Sequence, residues 1–183
     1  MGDITLLLQR ARGGDDAAWQ RAVALLYDDL LRLARCANAS GRSATLNATA
    51  LVHECYLRLA KHGADAIGGR AHFLALAGRA MRQILVNHAR DRVAAKRGGG
   101  AAHTTLGHLD LRVEQEADEL LGLDDAMQRL AHEDERLVRV IDCRVFGGLS
   151  EAETAQALNL SLRTAQRLWL QARDRLQTLL GAT

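Results

Sequence analysis

The sequence predicts an all-α protein made of two small helical domains joined by a flexible linker, the second domain being a helix-turn-helix. No stretch of useful length alternates apolar and polar residues as a half-buried strand does, whereas apolar residues recur at intervals of three and four almost throughout. The 183 residues include no proline, and alanine, leucine and arginine, which favour uninterrupted helices, dominate. With 48% hydrophobic residues, the chain can form one large or two small helical cores.

The first two predicted helices lie before the polar segment 40–47. A short helix over about 3–11 ends at Gly13-Gly14, and Asp15 or Asp16 can cap a longer helix that runs to about residue 38. The apolar residues of the second helix are three or four positions apart and define one face, which is predicted to be buried: Trp19, Val23, Leu26, Leu30, Leu33 and Ala37.

The third and fourth predicted helices cover about 48–61 and about 70–96. In the third helix, Leu51, Cys55 and Leu59 share one face, and the neighbouring Val52 and Tyr56 are the alternative set. The predicted buried side of the fourth helix consists of Phe73, Leu76, Ala77, Ala80, Ile84 and Leu85. The residues of that helix predicted to lie away from the core are Arg79, Arg82, Gln83, Val86, Asn87 and Arg90.

A glycine run, Gly98-Gly99-Gly100, ends the fourth helix and opens a linker. Because no strand precedes it and no G-K-[ST] follows, a flexible joint is favoured over a phosphate-binding loop. The chain therefore divides into a domain over 1–97, a linker over 98–118 and a domain over 119–183. Net charge is only +2, so any nucleic-acid surface must come from local segregation of charge. The charge is segregated in this way, because bases predominate over 70–97 and acids over 110–135.

The most specific pattern is a helix-turn-helix over 149–176. Ser150 can cap a helix, with Glu153 completing a capping box, and Asn159 tolerates a left-handed turn. Ser161 can cap the next helix. The predicted buried seam of that helix consists of Leu162, Ala165, Trp169, Ala172 and Leu176. The side chains predicted to point outward at its N-terminal end, where a recognition helix meets base edges and phosphates, are Arg163, Thr164, Gln166 and Arg167.

Over nearly its whole length the chain resembles the extracytoplasmic-function class of bacterial sigma factors. VFGGLSEAETAQALNLSLRTAQRLWLQAR is similar to the domain of that family that reads the promoter −35 element. ALVHECYLRL resembles the helix that binds core RNA polymerase, and RAHFLALAGRAMRQILVNHARDRVAAKRGGG resembles the helix that reads and melts the −10 element. The resemblance implies a cytoplasmic transcription initiation factor that binds core RNA polymerase and promoter DNA, with no catalytic activity, cofactor or membrane segment.

The resemblance also implies site residues. Those for the −10 element are Arg79, Arg82, Gln83, Asn87 and Arg90, and those for the −35 element are Ser161, Arg163, Thr164, Gln166 and Arg167. Those for polymerase binding are Leu51, Val52, Glu54, Leu57 and Arg58. The loop from Lys61 to Gly69, with His72 beside it, corresponds to the place where the family takes up a flipped-out base. Asn87 is explained equally well as a surface polar residue.

The sequence departs from the family pattern at two places. The acids that open the family's core-binding helix are replaced by Asn47-Ala48-Thr49-Ala50, which predicts weak affinity for core polymerase. We predict that a Ser/Thr kinase phosphorylates Thr49, with Thr45 and Ser43 as alternatives, since phosphate restores negative charge near a helix N-terminus. The alternative is that Thr49 caps the third helix. In the recognition helix, Leu168 and Leu170 stand where relatives often carry charge, and they predict an apolar patch for a partner protein.

Other interpretations remain open. The main alternative is a stand-alone helix-turn-helix regulator, and another is an inactive protein that titrates a partner; an anti-sigma protein is a further expected partner. An enzyme is least supported, because no nucleophile is paired with a base and no phosphate loop occurs. A zinc site of Cys36, His53 and Cys55 is less favoured than buried thiols. The N-terminus lacks the features of a signal peptide, and no stretch approaches the length of a membrane span.

Overall fold

Helices account for nearly all of the chain that the computed structural model describes, which is residues 2–39, 46–62, 67–97 and 107–181. Within these ranges there are seven α-helices, one π-helical turn and no strand, which confirms the all-α prediction. The helices are α1 (Gly2–Arg12), α2 (Asp16–Ala39), α3 (Ala48–His62), α4 (Arg70–Arg97), α5 (Gly107–Ile141), α6 (Glu151–Ala157) and α7 (Leu162–Gly181). The π-helical turn, Asp142–Phe146, follows α5 directly.

Helices α1 to α4 pack around one apolar core. Leu26, Leu30 and Leu51 are fully buried in it. The indole of Trp19 stacks on Tyr56 with 6.5 Å between ring centroids and meets the edge of Phe73 at 5.9 Å. Both alternative faces predicted for α3 contribute, because α3 contacts α2 on one side and α4 on the other.

Helix α4 is central, and this overturns part of the prediction for its outward face. Arg82 is 7% exposed and Val86 is 3% exposed, so both are buried rather than directed away from the core. The reason is that α4 packs against α2 and α3 and also against α5, α6 and the π-helical turn. A helix enclosed from both sides has little solvent-facing surface in its middle turns.

Helix α5 contributes residues to two separate hydrophobic cores. It begins at Gly107, so residues 107–118 of the predicted linker are helical, and residues 98–106 lie outside the described ranges. Its residues Ala117 and Leu120 join the core of α1 to α4, whereas Met127 and Leu130 join a second core. At Asp134 the backbone leaves the helical conformation (φ −160°, ψ 106°), and Asp134 Oδ1 accepts a 2.9 Å hydrogen bond from the Arg136 backbone N–H.

The second core lies between α5 and α7. From α7 it takes Ala172 and Leu179, and from the π-helical turn Phe146. The predicted seam of α7 is corrected at two positions: Leu162 is 48% exposed, whereas Leu168 is 1% exposed. The buried residues of α7 are Ala165, Leu168, Ala172 and Leu179, with Trp169 and Leu176 half-buried.

Of the helices that the structure describes, none has both the length and the apolar character that crossing a membrane requires.

Candidate nucleic-acid interface

A complete capping box starts the helix-turn-helix. Ser150 Oγ accepts a hydrogen bond of 3.2 Å from the Glu153 backbone N–H, and Glu153 Oε2 accepts one of 2.9 Å from the Ser150 backbone N–H. The Ser150 backbone N–H, the Ser150 hydroxyl and the Arg70 guanidinium all favour the ionised carboxylate and lower the pKa of Glu153. The predicted cap is confirmed, and it fixes where α6 begins.

The turn between α6 and α7 has the predicted geometry. Asn159 adopts a φ of +54°, and the Leu160 backbone N–H donates to the Ala155 carbonyl oxygen at 2.8 Å. Ser161 Oγ then accepts a hydrogen bond of 3.2 Å from the Thr164 backbone N–H, which confirms it as the cap of α7. The direction in which α7 leaves the turn is therefore set by local hydrogen bonds.

The N-terminal end of α7 presents polar side chains to solvent. Arg163, Gln166 and Arg167 are exposed, and Thr164 is half-buried with its hydroxyl 2.8 Å from that of Ser161. Gln166 Nε2 donates to Glu151 Oε2 at 2.7 Å. Among the described residues, Arg163 and Arg167 have no ion-pair partner, so their guanidinium groups can take an external acceptor. Leu170 is 57% exposed nearby, but Leu168 is buried, so the predicted apolar patch contains one of its two leucines.

The predicted −10 residues on α4 divide into two groups. Arg79 and Asn87 are exposed, and Gln83 is half-buried. Arg82 is buried and Arg90 is exposed, and both pair with carboxylates of α5 or of the π-helical turn.

Arg82 pairs with both Asp124 and Asp142, and Arg90 pairs with Asp124 as well. Arg82 Nε donates to Asp142 Oδ1 at 2.8 Å, and Arg82 Nη1 donates to Asp124 Oδ1 at 2.9 Å. Arg90 Nη2 donates to the other oxygen of Asp124, also at 2.8 Å. Burial raises the pKa of Asp142, and the Arg82 guanidinium opposes that rise. Asp124 and Asp142 were not singled out from the sequence. For Asp124 the signal available was the sign reversal between the basic segment 70–97 and the acidic segment 110–135, whereas Asp142 lies outside that acidic segment.

The predicted polymerase-binding residues also divide into two groups. Leu51 and Val52 are in the core, at 0% and 4% exposure. Leu57 is 45% exposed, and Glu54 and Arg58 are half-buried. These last three line a groove of about 360 Å³ between α3 and α4, together with Lys61, Ile84, Asn87, His88 and Asp91. The structure therefore brings Asn87, a predicted promoter residue, to the edge of the predicted polymerase surface.

The start of α3 is capped by Asn47 rather than by Thr49. Asn47 Oδ1 accepts a 2.8 Å hydrogen bond from the Ala50 backbone N–H. Thr49 is exposed in the first turn, and that turn contains no acidic residue. The capping explanation for Thr49 is therefore wrong, and Ser43 and Thr45 lie outside the described residues.

The loop before α4 is described from Ile67 onward. The Gly68 backbone N–H donates to His72 Nδ1 at 3.0 Å, and burial, assisted by the charge of Arg12, lowers the pKa of His72. His72 is thus held against the loop that the resemblance assigns to a flipped-out base. Residues 63–66 of that loop lie outside the described ranges.

The described residues contain no group of three or more His, Cys, Asp or Glu side chains placed to hold a metal ion. Cys55 and Cys143 are buried thiols, as predicted. Cys36 is exposed, which the prediction of buried thiols did not anticipate.

A bundle of helices that ends in a capped helix-turn-helix with exposed arginines on its second helix defines a helical DNA-binding protein. The chain belongs to the ECF sigma factor family, whose profile matches residues 1–181. No curated protein matches the chain. As an ECF sigma factor, it binds core RNA polymerase and directs it to promoter DNA as a non-catalytic initiation factor, which sets aside the stand-alone regulator.

Proposed function

We propose that this sigma factor reads the −35 element with the N-terminal turns of α7. The observation that carries the proposal is a pair of exposed arginines, Arg163 and Arg167, that have no ion-pair partner among the described residues and lie on a helix whose start is fixed by Ser161. In the major groove an arginine can donate two hydrogen bonds to a guanine edge, and a glutamine such as Gln166 can do the same to adenine. Ser161 and Thr164 lie at the helix N-terminus, where backbone N–H groups favour phosphate.

The −10 element is assigned to α4 in the same proposal. Arg79 and Asn87 are exposed, Gln83 is accessible in part, and Arg82 and Arg90 supply further positive charge. Arginines can hold the phosphates of a melted strand, and Asn87 can hydrogen-bond an unpaired base edge.

Core polymerase is assigned to the groove between α3 and α4. Glu54, Leu57 and Arg58 offer a negative, an apolar and a positive contact side by side there. Leu51 and Val52 lie beneath this surface in the core, so their part in polymerase binding is to hold α3 in position.

Binding to polymerase places the protein in the cytoplasm. We keep 1–97, 98–118 and 119–183 as the proposed functional division, with the first turns of α5 serving as part of the connection.

The −35 assignment is tested with arginine variants that have a control on the same helix. Arg163→Ala and Arg167→Ala are compared with Arg173→Ala, an exposed arginine further along α7. Holoenzymes are reconstituted with core polymerase, and their affinity is measured for a promoter fragment selected by the wild-type holoenzyme from random sequence. A lost base contact should weaken binding by about 1–3 kcal/mol, and a lost phosphate contact should reduce the salt slope by about one. Wild-type binding by both test variants would contradict the proposed surface.

We further propose that phosphorylation of Thr49 by a Ser/Thr kinase strengthens polymerase binding. Thr49 is exposed in an α3 turn that lacks acids, so a phosphate there would add about −1.5 to −2 charges beside the helix N-terminus. Co-elution with core polymerase is compared for wild type, Thr49→Asp and Thr49→Asn, which differ in charge but little in shape. Tighter binding by the aspartate variant alone is expected; equal binding by all three would rule the phosphate switch out.

A further inference from the structure

A cavity of about 420 Å³ lies where α4, the end of α5, the π-helical turn and the turn between α6 and α7 come together. Its volume is within the range of the pockets that hold small molecules in proteins. Of its lining residues, only Arg79 and His72 belong to a proposed promoter surface. The other residues of the lining have no binding role in the functions proposed above.

The lining of the cavity carries an excess of positive charge. Three arginines contribute to it, Arg79, Arg136 and Arg139, whereas Asp142 is the one carboxylate among the described residues that line it. Arg82 already pairs with Asp142 at 2.8 Å, so this carboxylate does not offset the three guanidinium groups. The cavity therefore favours an anionic occupant.

The three guanidinium groups have donors to spare. Arg79 is exposed and has no ion-pair partner within the described part of the chain. Arg136 pairs with Asp134 at 2.7 Å, and Arg139 pairs with Glu135 at 2.9 Å, but their side chains are 65% and 54% exposed. Because a guanidinium has five N–H donors, each of these arginines can keep its internal pair and still donate to an external anion.

This number of donors favours a phosphate over a carboxylate. A carboxylate offers two oxygens to a guanidinium, whereas a terminal phosphate offers three and a diphosphate offers more. Three arginines around one cavity can all be satisfied by a phosphate chain, and a single carboxylate would leave donors unpaired.

The rest of the lining is mainly aliphatic, with two directional polar groups. The aliphatic side chains come from α4, α6 and the turn after α6: Ala75, Leu76, Ala157, Leu158 and Leu160. Asn159 adds an amide, and His72 adds an imidazole. Since His72 Nδ1 accepts from the Gly68 backbone N–H at 3.0 Å, the neutral ring carries its proton on Nε2 and can donate from there. Apolar surface beside an amide and an N–H suits the flat face and polar edge of a nucleobase, whereas an alkyl chain would leave both polar groups unpaired.

We infer that this cavity binds a nucleoside phosphate, whose phosphates are held by Arg79, Arg136 and Arg139 and whose base lies against the aliphatic lining beside Asn159. The inference goes beyond the proposed function. The cavity shares Arg79 with the proposed −10 surface, but binding of a nucleotide requires neither promoter DNA nor polymerase.

The test is isothermal titration calorimetry on the full-length chain at constant ionic strength. ADP and GDP are the nucleotide probes. Pyrophosphate supplies the phosphates alone, adenosine supplies the base and sugar alone, and dodecanoate supplies an alkyl anion. Because the titrations contain no DNA and no polymerase, their outcome does not depend on the proposed promoter and polymerase surfaces.

Two pairs of variants locate the site. Arg139→Gln removes a guanidinium from the cavity, and Arg129→Gln removes one from an exposed position of the same helix that does not line the cavity. Ala157→Leu fills part of the aliphatic lining, and Ala152→Leu adds the same bulk at an exposed position of α6. Thermal unfolding without ligand shows whether each variant folds, and Arg139→Gln carries the test if Ala157→Leu does not fold.

We expect ADP or GDP to bind at least about tenfold more tightly than pyrophosphate, adenosine or dodecanoate, because a nucleotide alone uses both parts of the lining. Arg139→Gln and Ala157→Leu should each weaken nucleotide binding by about tenfold, whereas Arg129→Gln and Ala152→Leu should bind as wild type does. Absence of binding by both nucleotides would overturn the site, as would equal weakening by Arg139→Gln and Arg129→Gln. Tighter binding of pyrophosphate or dodecanoate than of either nucleotide would overturn the assignment to a nucleoside phosphate.

Discussion

Arg70 and Glu153 form an ion pair of 3.0 Å that joins the first turn of α4 to the first turn of α6. The same Glu153 carboxylate accepts hydrogen bonds from the Ser150 backbone N–H and hydroxyl. One side chain therefore caps the helix-turn-helix and ties it to the rest of the protein. Its ionisation should be visible in the dependence of stability on pH.

Glu153→Gln should flatten part of that pH dependence. Because the folded-state pKa of Glu153 is lowered, chiefly by the Ser150 hydrogen bonds and then by Arg70, ionised Glu153 stabilises the protein above its unfolded-state pKa. That stabilisation is lost as pH falls through the folded-state value, so the relevant window is from about pH 5 downward. Urea unfolding midpoints over a pH series measure it. Glu119→Gln, an exposed glutamate of α5, is the control for removal of a carboxylate, and identical pH profiles for the two variants would contradict the prediction.

Asn159→Ala and Asn159→Gly should differ in stability. The φ of +54° at Asn159 is a left-handed conformation that costs an ordinary residue about 1–2 kcal/mol and costs glycine little. We expect the alanine variant to lose about 1 kcal/mol relative to the glycine variant, measured by urea unfolding. Equal stability of the two variants would mean that the turn relaxes to another conformation.

The parts of this fold that could be predicted are the helix ends and turns that nearby residues in the sequence determine. The bounds of α1 to α4 agree with prediction to within about two residues, because Gly13-Gly14, Asn47 and Gly98-Gly99-Gly100 act on the chain within one helical turn. The capping box, the left-handed Asn159 and the Ser161 cap were predictable for the same reason.

Contacts between distant parts of the chain explain what was missed. Arg82 meets Asp124 and Asp142 across 42 and 60 residues, and nothing in the helical periodicity of α4 specifies which partners approach its second side. An arginine that shares a helix face with Arg79 and Gln83 predicts an exposed face, and the charge pairing that permits its burial exists in the folded state alone. The seam of α7 was displaced similarly, because the spacing from Ala165 fits Leu162 and Leu168 alike, and packing against α5 decides between them.

Leu168→Ala and Leu170→Ala should therefore have very different effects. Leu168 is 1% exposed in the second core, and truncating a leucine in a closely packed core costs about 2–5 kcal/mol. Leu170 is 57% exposed, and its truncation should change the free energy of unfolding by less than about 0.5 kcal/mol. Chemical unfolding of the two variants measures the free energy of unfolding for two leucines of the same helix. Comparable losses would show that the stripe from Ala165 to Leu179 is not the buried face of α7.

The three cysteines should react with thiol reagents in a fixed order. Cys36 is exposed, whereas burial raises the pKa of both Cys55 and Cys143 to about 12. Since the thiolate is the reactive form, Cys36 alone should be labelled in the folded protein at about pH 8, as mass spectrometry of the peptides will show.

Gly78→Ala should expose one of the two buried cysteines. A Cβ on Gly78 of α4 would lie 2.5 Å from the Gly147 backbone nitrogen, so the added methyl group should push the π-helical turn away from α4. Cys143 lies in that turn and joins the core of α1 to α4. Cys55 is deep in that same core, with its thiol 3.7 Å from the Ala77 carbonyl oxygen. If the π-helical turn moves away from α4 in this variant, Cys143 should become reactive while Cys55 stays protected, because the movement uncovers one thiol and leaves the other enclosed. Labelling of both together would instead indicate general unfolding, and labelling of neither would show that the packing of the π-helical turn against α4 survives the added methyl group.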